Sequence, residues 1–219
     1  MALINKFTQY EHLIWDWNGT IINDVELNLR LMNKQLADRN LPPLTAKRHQ
    51  RIFGFPLYDF YVRLGFDLNN ESFDATSYEF MSEYERHKKE CSLHEESLFL
   101  LQAWHGQGKK QSILSAYPQA WLEESLVHYN IIDLFTFIYG SDDHHGKGKH
   151  DKGKELLVDI GLPVEKVAMI GDTVHDFEVA QGLGIDCFLV TGGNQTMERL
   201  QQTNATIIEF ASMRHIQHA

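Results

Sequence analysis

Long apolar runs are missing from this chain. No stretch approaches the roughly 20 residues that a membrane-spanning helix needs, so no membrane association is expected. The N-terminal sequence MALINKFTQYEH lacks the apolar core of a secretory signal. Cysteine is scarce as well. Cys91 and Cys187 lie far apart in no metal-like spacing and read as two reduced thiols, which makes the cytoplasm the expected compartment. Positive charge is in deficit, with 20 Lys and Arg against 30 Asp and Glu and a formal net charge of −10. That balance argues against non-specific binding to nucleic acid or anionic membranes. It leaves small anions open, because an acidic protein can hold an anion in a locally positive pocket. No internal repeat or low-complexity tract interrupts the chain. Its 219 residues, 43% hydrophobic and 23% charged, suffice for one full core, with or without an inserted domain.

The organising stretch is His12 to Asn23, HLIWDWNGTIIN. Leu13, Ile14 and Trp15 form a short apolar run that ends in Asp16, and Asn18-Gly19-Thr20 follows. The pattern predicts a buried strand that delivers a carboxylate to its C-terminal tip, then a glycine-led turn. In open α/β sheets such tips are where ligands bind.

Between residues 23 and 92 the pattern is almost wholly helical. Val25, Leu29, Met32 and Leu36 form one helical stripe, with Asn23 or Asp24 as N-cap and Asn40-Leu41-Pro42-Pro43 as terminator. Thr45 caps a second short helix that stops near Gly54. Pro56 starts a third, with Leu57, Phe60, Tyr61 and Leu64 on one face. A fourth is predicted from about Ser72 to Cys91, with Phe73, Phe80, Tyr84 and Cys91 spaced for burial. From about residue 94 the texture becomes alternating helix and strand. Helices are predicted over 95–105, from Pro118, over 152–160, 177–183 and 196–202, and finally over about 209–216. Strands are predicted over 111–115, 135–140, 167–170, 187–190 and 205–208. Repeated αβ units argue for a doubly wound, Rossmann-like parallel sheet. The helical block is too long for a connection and too organised for a loop, which suggests an inserted all-helical domain. The expected division is a core of residues 1–22 and 93–219 and an insert of residues 23–92.

Four constellations carry chemistry. Asp16 can be a nucleophile, a metal ligand or both, although a capping Asp before a turn is the commoner role for such a residue. Ile170-Gly171-Asp172-Thr173-Val174-His175-Asp176 ends another apolar strand in two carboxylates four apart, which suits a hard divalent cation. Asp176 also fits a helix N-cap. Ser115, with Ala116, stands at a strand tip before a Pro-initiated helix and offers a hydroxyl and backbone N–H groups to a phosphoryl oxygen; an N-cap is again the alternative. Finally, the loop Gly146-Lys147-Gly148-Lys149-His150-Asp151-Lys152 supplies cations that could neutralise a phosphate and a carboxylate together, while most of these lysines must simply be solvated. A metal reading of Asp142-Asp143-His144-His145 is weaker, because no helix or strand period fixes its ligands.

The order of these features on successive strand ends, with a helical block after the first, resembles the haloacid dehalogenase superfamily, of the phosphoglycolate-phosphatase-like kind with a C1-type cap. The family's usual first motif is Asp-x-Asp-Gly-Thr, against Asp16-Trp17-Asn18-Gly19-Thr20 here. The resemblance implies that Asp16 attacks phosphorus and becomes an aspartyl-phosphate. It implies that Mg²⁺ is held by Asp16, by the main-chain carbonyl of Asn18 and by Asp172. Asp176 and Thr20 fall outside the metal's direct ligands. Ser115, Ala116 and Lys149 match the phosphate-binding groups. Lys149 fits the catalytic lysine best by distance to the next helix, with Lys147 and Lys152 as rivals. Arg51 and Phe55, near the hinge-like Phe53-Gly54-Phe55-Pro56, are candidate substrate contacts from the cap.

Asn18 is the departure. In the family the second Asp protonates the leaving oxygen and then activates water, help that is typically worth about 10²–10⁴-fold. An amide cannot shuttle that proton. The leading expectation is a Mg²⁺-dependent phosphomonoester hydrolase of a small phosphorylated metabolite, monomeric or homodimeric, slowed or altered by Asn18. The alternatives are a catalytically silent phosphate-binding protein and a phosphomutase. The phosphomutase is disfavoured because it too needs an acid at position 18. A dehalogenase is disfavoured because the last motif implies a metal.

Overall fold

The computed structural model describes residues 3–142 and 148–210. Its strands are β1 His12–Trp15, β2 Ile22–Asn23, β3 Ser92–Leu93, β4 Lys110–Pro118, β5 Phe137–Ser141, β6 Val167–Gly171, β7 Asp186–Val190 and β8 Thr206–Ile208. The main sheet has the order β5-β4-β1-β6-β7-β8, and every pairing in it is parallel. Parallel strands are covered on both faces and read as unbroken apolar runs, and all four residues of β1 are buried.

The pleat of β1 divides the core in two. Leu13 and Trp15 face a cluster with Leu101 and Trp104 of α5 (Glu95–Gly106) and Leu122 and Leu126 of α6 (Gln119–His128). Ile14 faces the opposite cluster, with Leu156 of α7 (Lys149–Ile160) and Val179 and Leu183 of α8 (Val174–Leu183). The short helix α9 (Met197–Leu200) follows β7. This is the α/β doubly wound, Rossmann-like architecture expected from the alternation of elements.

Four helices stand between β2 and β3: α1 (Val25–Asp38), α2 (Ala46–Ile52), α3 (Leu57–Leu64) and α4 (Phe73–His87). They enclose a separate apolar cluster in which Met32 and Leu36 of α1 meet Phe60, Tyr61 and Leu64 of α3. Thr45 accepts a hydrogen bond from the Arg48 N–H at the start of α2, and Ser72 does the same for Ala75 at the start of α4; such caps are worth about 1 kcal/mol each. Gly65 ends α3 in the left-handed conformation, at φ +100°, where a Cβ is disfavoured. No helix among the described residues is long and apolar enough to cross a membrane.

Several elements differ from the sequence expectation. β2 and β3 pair antiparallel, Ile22 opposite Leu93 and Asn23 opposite Ser92, and tie together the two ends of the helical segment. Two residues per strand are too few to show an alternation. α4 gives way to a 3-10 turn at Lys88, short of Cys91. α7 starts at Lys149 rather than Lys152, because Gly148 at φ +85° reverses the chain just before it. The polar run around Gly148 carries no apolar period from which that start could be read. α8 starts at Val174, three residues before Phe177. Residues Asp143 to Lys147, and the final helix expected beyond Phe210, lie outside the described residues.

Candidate active site

β1 is the switch point of the sheet. The chain leaves it on one side through β4 and β5 and on the other through β6, β7 and β8. Ligand crevices in such sheets open at the carboxyl ends of the strands beside that point. Here Asp16 follows β1, Ser115 lies in β4, Lys149 begins α7, Asp172 follows β6, and Asn194 lies in the turn after β7. All five line one cavity of about 140 Å³ between the sheet and the helical block.

Lys149 binds the acids together. Its Nζ donates to Asp16 Oδ1 at 2.5 Å and to Asp176 Oδ1 at 2.6 Å, and the side chain is only 3% exposed. Asp172 is held from two sides. Its Oδ2 accepts from the Asn194 backbone N–H at 2.6 Å and from Asn194 Nδ2 at 3.2 Å, and its Oδ1 accepts from Thr20 Oγ1 at 3.2 Å. Thr20 Oγ1 also lies 3.4 Å from Asp16 Oδ2. One ligand atom from each of Asp16, Asp172 and Asp176 falls within 4.8 Å of the others. The turns that approach Asp172 need glycine. A Cβ on Gly19, at φ +76°, or on Gly193 would overlap the Asp172 carboxylate.

Asp176 occupies the third position of α8, not its N-cap. Thr173 is the N-cap, and the two residues form a reciprocal capping box. Asp176 Oδ2 accepts from Thr173 N at 3.0 Å and Thr173 Oγ1 at 2.6 Å, which leaves Oδ1 for Lys149. Helix start and ion pair are thus served by different oxygens of one carboxylate.

Three buried carboxylates share one buried ammonium, so negative charge is left unmatched. Burial pushes the Asp16 carboxyl up to about 7, with Lys149 pulling it down and Asp176 pushing it further up. Asp172 is raised well above the ordinary carboxylate range by burial and then by Asp176 and Asp16. Burial works against Asp176 and Lys149 as well, but their mutual attraction outweighs it, so the acid is lowered and the ammonium raised. The cluster calls for further positive charge, and its donors are all oxygen, which suits a hard divalent cation.

Asn18 does not hang free at the cavity edge. Its Nδ2 donates to Asp24 Oδ2 at 2.7 Å and to the Tyr84 hydroxyl at 2.9 Å, while that hydroxyl donates to Asp24 Oδ2 at 2.8 Å. Gly19 N–H donates to Asp24 Oδ1 at 3.0 Å. Asp24 stands at the N-cap position of α1 but makes no side-chain cap bond there. Burial raises its pKa, against the hydrogen bonds from Asn18 and Tyr84.

Of the other expected contacts, Ala116 and Phe55 line the cavity, and Phe55 packs on His175 with ring centroids 4.6 Å apart. Arg51 does not line it; the side chain is exposed on α2. Residues two apart on a helix point to nearly opposite sides, and on this helix His49 is the residue turned inward. Lys152 pairs with Asp142 at 2.9 Å, away from the acids. Lys147 lies outside the described residues, as do three of the four residues of the Asp142–His145 run.

Sequence reasoning missed Asn194, and took Asp24 only for a possible N-cap and Tyr84 only for a buried position. The run Thr191-Gly192-Gly193-Asn194-Gln195 after an apolar strand was the available signal for the first. This turn also fastens the helical block to the sheet. Gln50 Nε2 donates to Gly193 O at 3.0 Å, Gln195 Nε2 donates to Phe53 O at 3.1 Å, and His49 Nε2 meets Asn194 Oδ1 at 3.1 Å.

Residues 13–190 match the family described as haloacid dehalogenase-like hydrolase. The chain belongs to that family. A phosphoglycolate phosphatase of Aliivibrio fischeri is 25% identical over 109 residues, which are 49% of this chain and 48% of that protein; the match spans about half the length of the curated relative. Among solved structures, a haloacid dehalogenase-like family protein of Streptococcus pneumoniae aligns with a TM-score of 0.75 at 20% identity, over 96% of this chain and 99% of that one. Protein tyrosine kinase A of Mycobacterium tuberculosis aligns equally well, with a TM-score of 0.75, 20% identity and the same two coverages. At such identities the likeness is one of fold, and chemistry has to be argued from the residues of the haloacid dehalogenase-like site itself.

Proposed function

We propose that the chain is a Mg²⁺-dependent phosphomonoester hydrolase of a small phosphorylated metabolite, with residues 23–92 acting as a cap over the site. The observation that carries this reading is the buried bridge of Lys149 between Asp16 and Asp176, beside Asp172 and Ser115 at the switch point of the sheet. In it, the Asp16 carboxylate attacks phosphorus and displaces the alcohol. Water then cleaves the aspartyl-phosphate, releasing inorganic phosphate and restoring Asp16. Lys149 holds the Asp16 carboxylate in place and offsets the charge of the phosphoryl oxygens, and Ser115 with the adjoining backbone orients them. Asp16, Asp172 and the main-chain carbonyl of Asn18 would hold the metal, with Thr20, Asp176 and Asn194 fixing the ligands. When bound, the cation neutralises the acids and polarises the phosphoryl group.

The test is phosphate release from an aryl phosphate by the full chain, with and without Mg²⁺, beside an Asp16→Asn control. Metal-dependent turnover above the control supports the reading, and none over a broad ester panel defeats it. A second reading, a phosphate-binding protein with little turnover, is favoured by one observation. Asn18 is fully engaged by Asp24 and Tyr84 where the family resemblance calls for a proton donor.

A further inference from the structure

The acidic floor of the cavity is only part of its lining. The remainder comes mainly from the helical block and is apolar, with Met32, Phe53, Phe55, Phe60, Phe80 and Met81 facing the same space. Among the described residues that line it, Lys149 is the only lysine or arginine, and both its bonds run to carboxylates. Most polar groups in the wall are committed elsewhere. The Tyr84 hydroxyl donates to Asp24, the Tyr117 hydroxyl donates to Glu85, and the Asn28 side chain bonds Asp24.

His49 packs into the same wall as an aromatic ring. It is 2% exposed, stacked on Phe53 with centroids 5.0 Å apart, and set edge-on against Phe60. Asn194 turns its Nδ2 to Asp172, so its Oδ1 faces His49 and accepts from Nε2–H. That fixes the tautomer and leaves Nδ1 as a bare acceptor. Nδ1 is buried without a partner, and His49 is the only cavity-lining residue with such an atom among the described residues. That acceptor is itself closed off from the cavity, so the wall offers a ligand no hydrogen bond there.

We propose that the alcohol half of the substrate is a small, uncharged, largely apolar group, and that this wall rejects a carboxylate. The inference rests on the phosphatase reading above and names its substrate class. It separates this chain from an enzyme built for phosphoglycolate, whose carboxylate would enter an apolar wall with no lysine or arginine besides Lys149 among the described residues to meet it. The volume bounds the size: the phosphoryl group and the alcohol half share about 140 Å³, and an apolar cavity of about 150 Å³ takes one benzene ring, so the alcohol half is no larger than about one ring.

The test compares kcat/KM for phenyl phosphate, 4-(hydroxymethyl)phenyl phosphate, 4-carboxyphenyl phosphate and 2-phosphoglycolate, with Mg²⁺ and an Asp16→Asn control. The carboxylate makes its phenol at least as good a leaving group, so any loss reports the wall and not the chemistry. Phenyl phosphate is expected to exceed 4-carboxyphenyl phosphate, its matched aryl ester, by at least about tenfold, and the neutral hydroxymethyl ester to stay close to phenyl phosphate. Met81→Lys supplies a cation on the half-buried side of α4 and is expected to shift selectivity toward the carboxylate esters by about tenfold or more. Turnover above the Asp16→Asn control with 4-carboxyphenyl phosphate equal to phenyl phosphate or better overturns the inference alone. No turnover of any ester above that control removes the phosphatase reading and the inference with it.

Discussion

The sharpest perturbation is Asn18→Asp, because the structure predicts two opposed consequences. The first is a cost in stability. Asn18 Nδ2 lies 2.7 Å from a carboxylate oxygen of Asp24, which is fully buried. An isosteric Asp removes a charge-assisted hydrogen bond worth about 1.5–3 kcal/mol and sets two carboxylates face to face. With charge centres about 4 Å apart and an effective dielectric constant of about 20, their repulsion is about 4 kcal/mol, equivalent to roughly three pKa units. The pair escapes most of that by retaining one proton, as paired carboxylates do. The expected net loss is about 2–3 kcal/mol, or roughly 5–10 °C in Tm for a chain of this size.

The second consequence is a gain in rate. The retained proton turns residue 18 into a carboxylic acid at neutral pH, placed where the family resemblance calls for a general acid. Alkyl phosphates, whose leaving alkoxide needs a proton, should speed up by about 10²-fold or more, whereas aryl phosphates should gain little. The assay is phosphate release from matched alkyl and aryl esters by wild type and variant, with melting curves alongside. The swap Asn18→Asp with Asp24→Asn restores one amide facing one carboxylate. It should recover most of the Tm and move the pH optimum for alkyl esters downward, because residue 18 then titrates without a like-charged neighbour. An alkyl rate in the variant no higher than in wild type, or equal gains on both ester classes, would refute the reasoning.

Three further outcomes follow from the acid cluster. Lys149→Met removes the ammonium that bridges the buried Asp16 and Asp176; metal-free stability should fall by about 3–5 kcal/mol and turnover by about 10²–10³-fold, and near-normal turnover would contradict the assigned role. Asp16 carries a folded pKa of about 7 against an ordinary 3.8, and Asp172 shifts the same way. The folded metal-free protein therefore holds its protons more tightly than the unfolded chain, and loses stability as pH rises from about 4 through about 7. Mg²⁺ at a hundred times its Kd adds about 2.7 kcal/mol, so its Tm shift should be larger at pH 8 than at pH 5.5 and absent in Asp172→Asn. An equal shift at both pH values would show that these acids do not hold the ion. Gly193→Ala drives a Cβ into the Asp172 carboxylate and should weaken Mg²⁺ binding by about 10–100-fold, read from the same melting titration; unchanged affinity would mean that the turn yields without moving Asp172.

What was legible in the sequence shared one property: it was local. Leu13-Ile14-Trp15 announced a doubly covered strand, and the stripe of Leu29, Met32 and Leu36 announced α1, because a period of two or of 3.6 is written in consecutive residues. Asp16, Ser115 and Asp172 were legible because each ends such a run. Groups whose role depends on partners far along the chain were not. Asp24 looked like an N-cap by position, yet it makes no side-chain cap bond there, and its carboxylate is bonded by the Asn28 side chain and by Tyr84, sixty residues on. Asn194 steadies an acid twenty-two residues before it. Arg51 drew attention by its charge, while on the same short helix it is His49 that lines the cavity. Charge marks a residue in a string of letters, but only the helix phase decides which side it serves.

Asn18 shows why the pair, and not the residue, is the unit to reason about. Set against the family motif, the amide is a deletion: where the motif has a carboxyl able to give and take a proton, Asn18 has an amide that cannot. Set against Asp24, it is the complementary half of a buried contact, with two N–H donors directed at a carboxylate and a phenol. A buried carboxylate without donors is costly, and Asp24 gets donors from Asn18, Tyr84 and the Gly19 backbone. Restoring the acid at position 18 alone would break that match, so on the phosphatase reading slow chemistry and a satisfied site are expected results of the same bond. On that reading reactivity is set jointly at positions 18 and 24, and changing either one without the other is expected to change charge, stability and proton supply together.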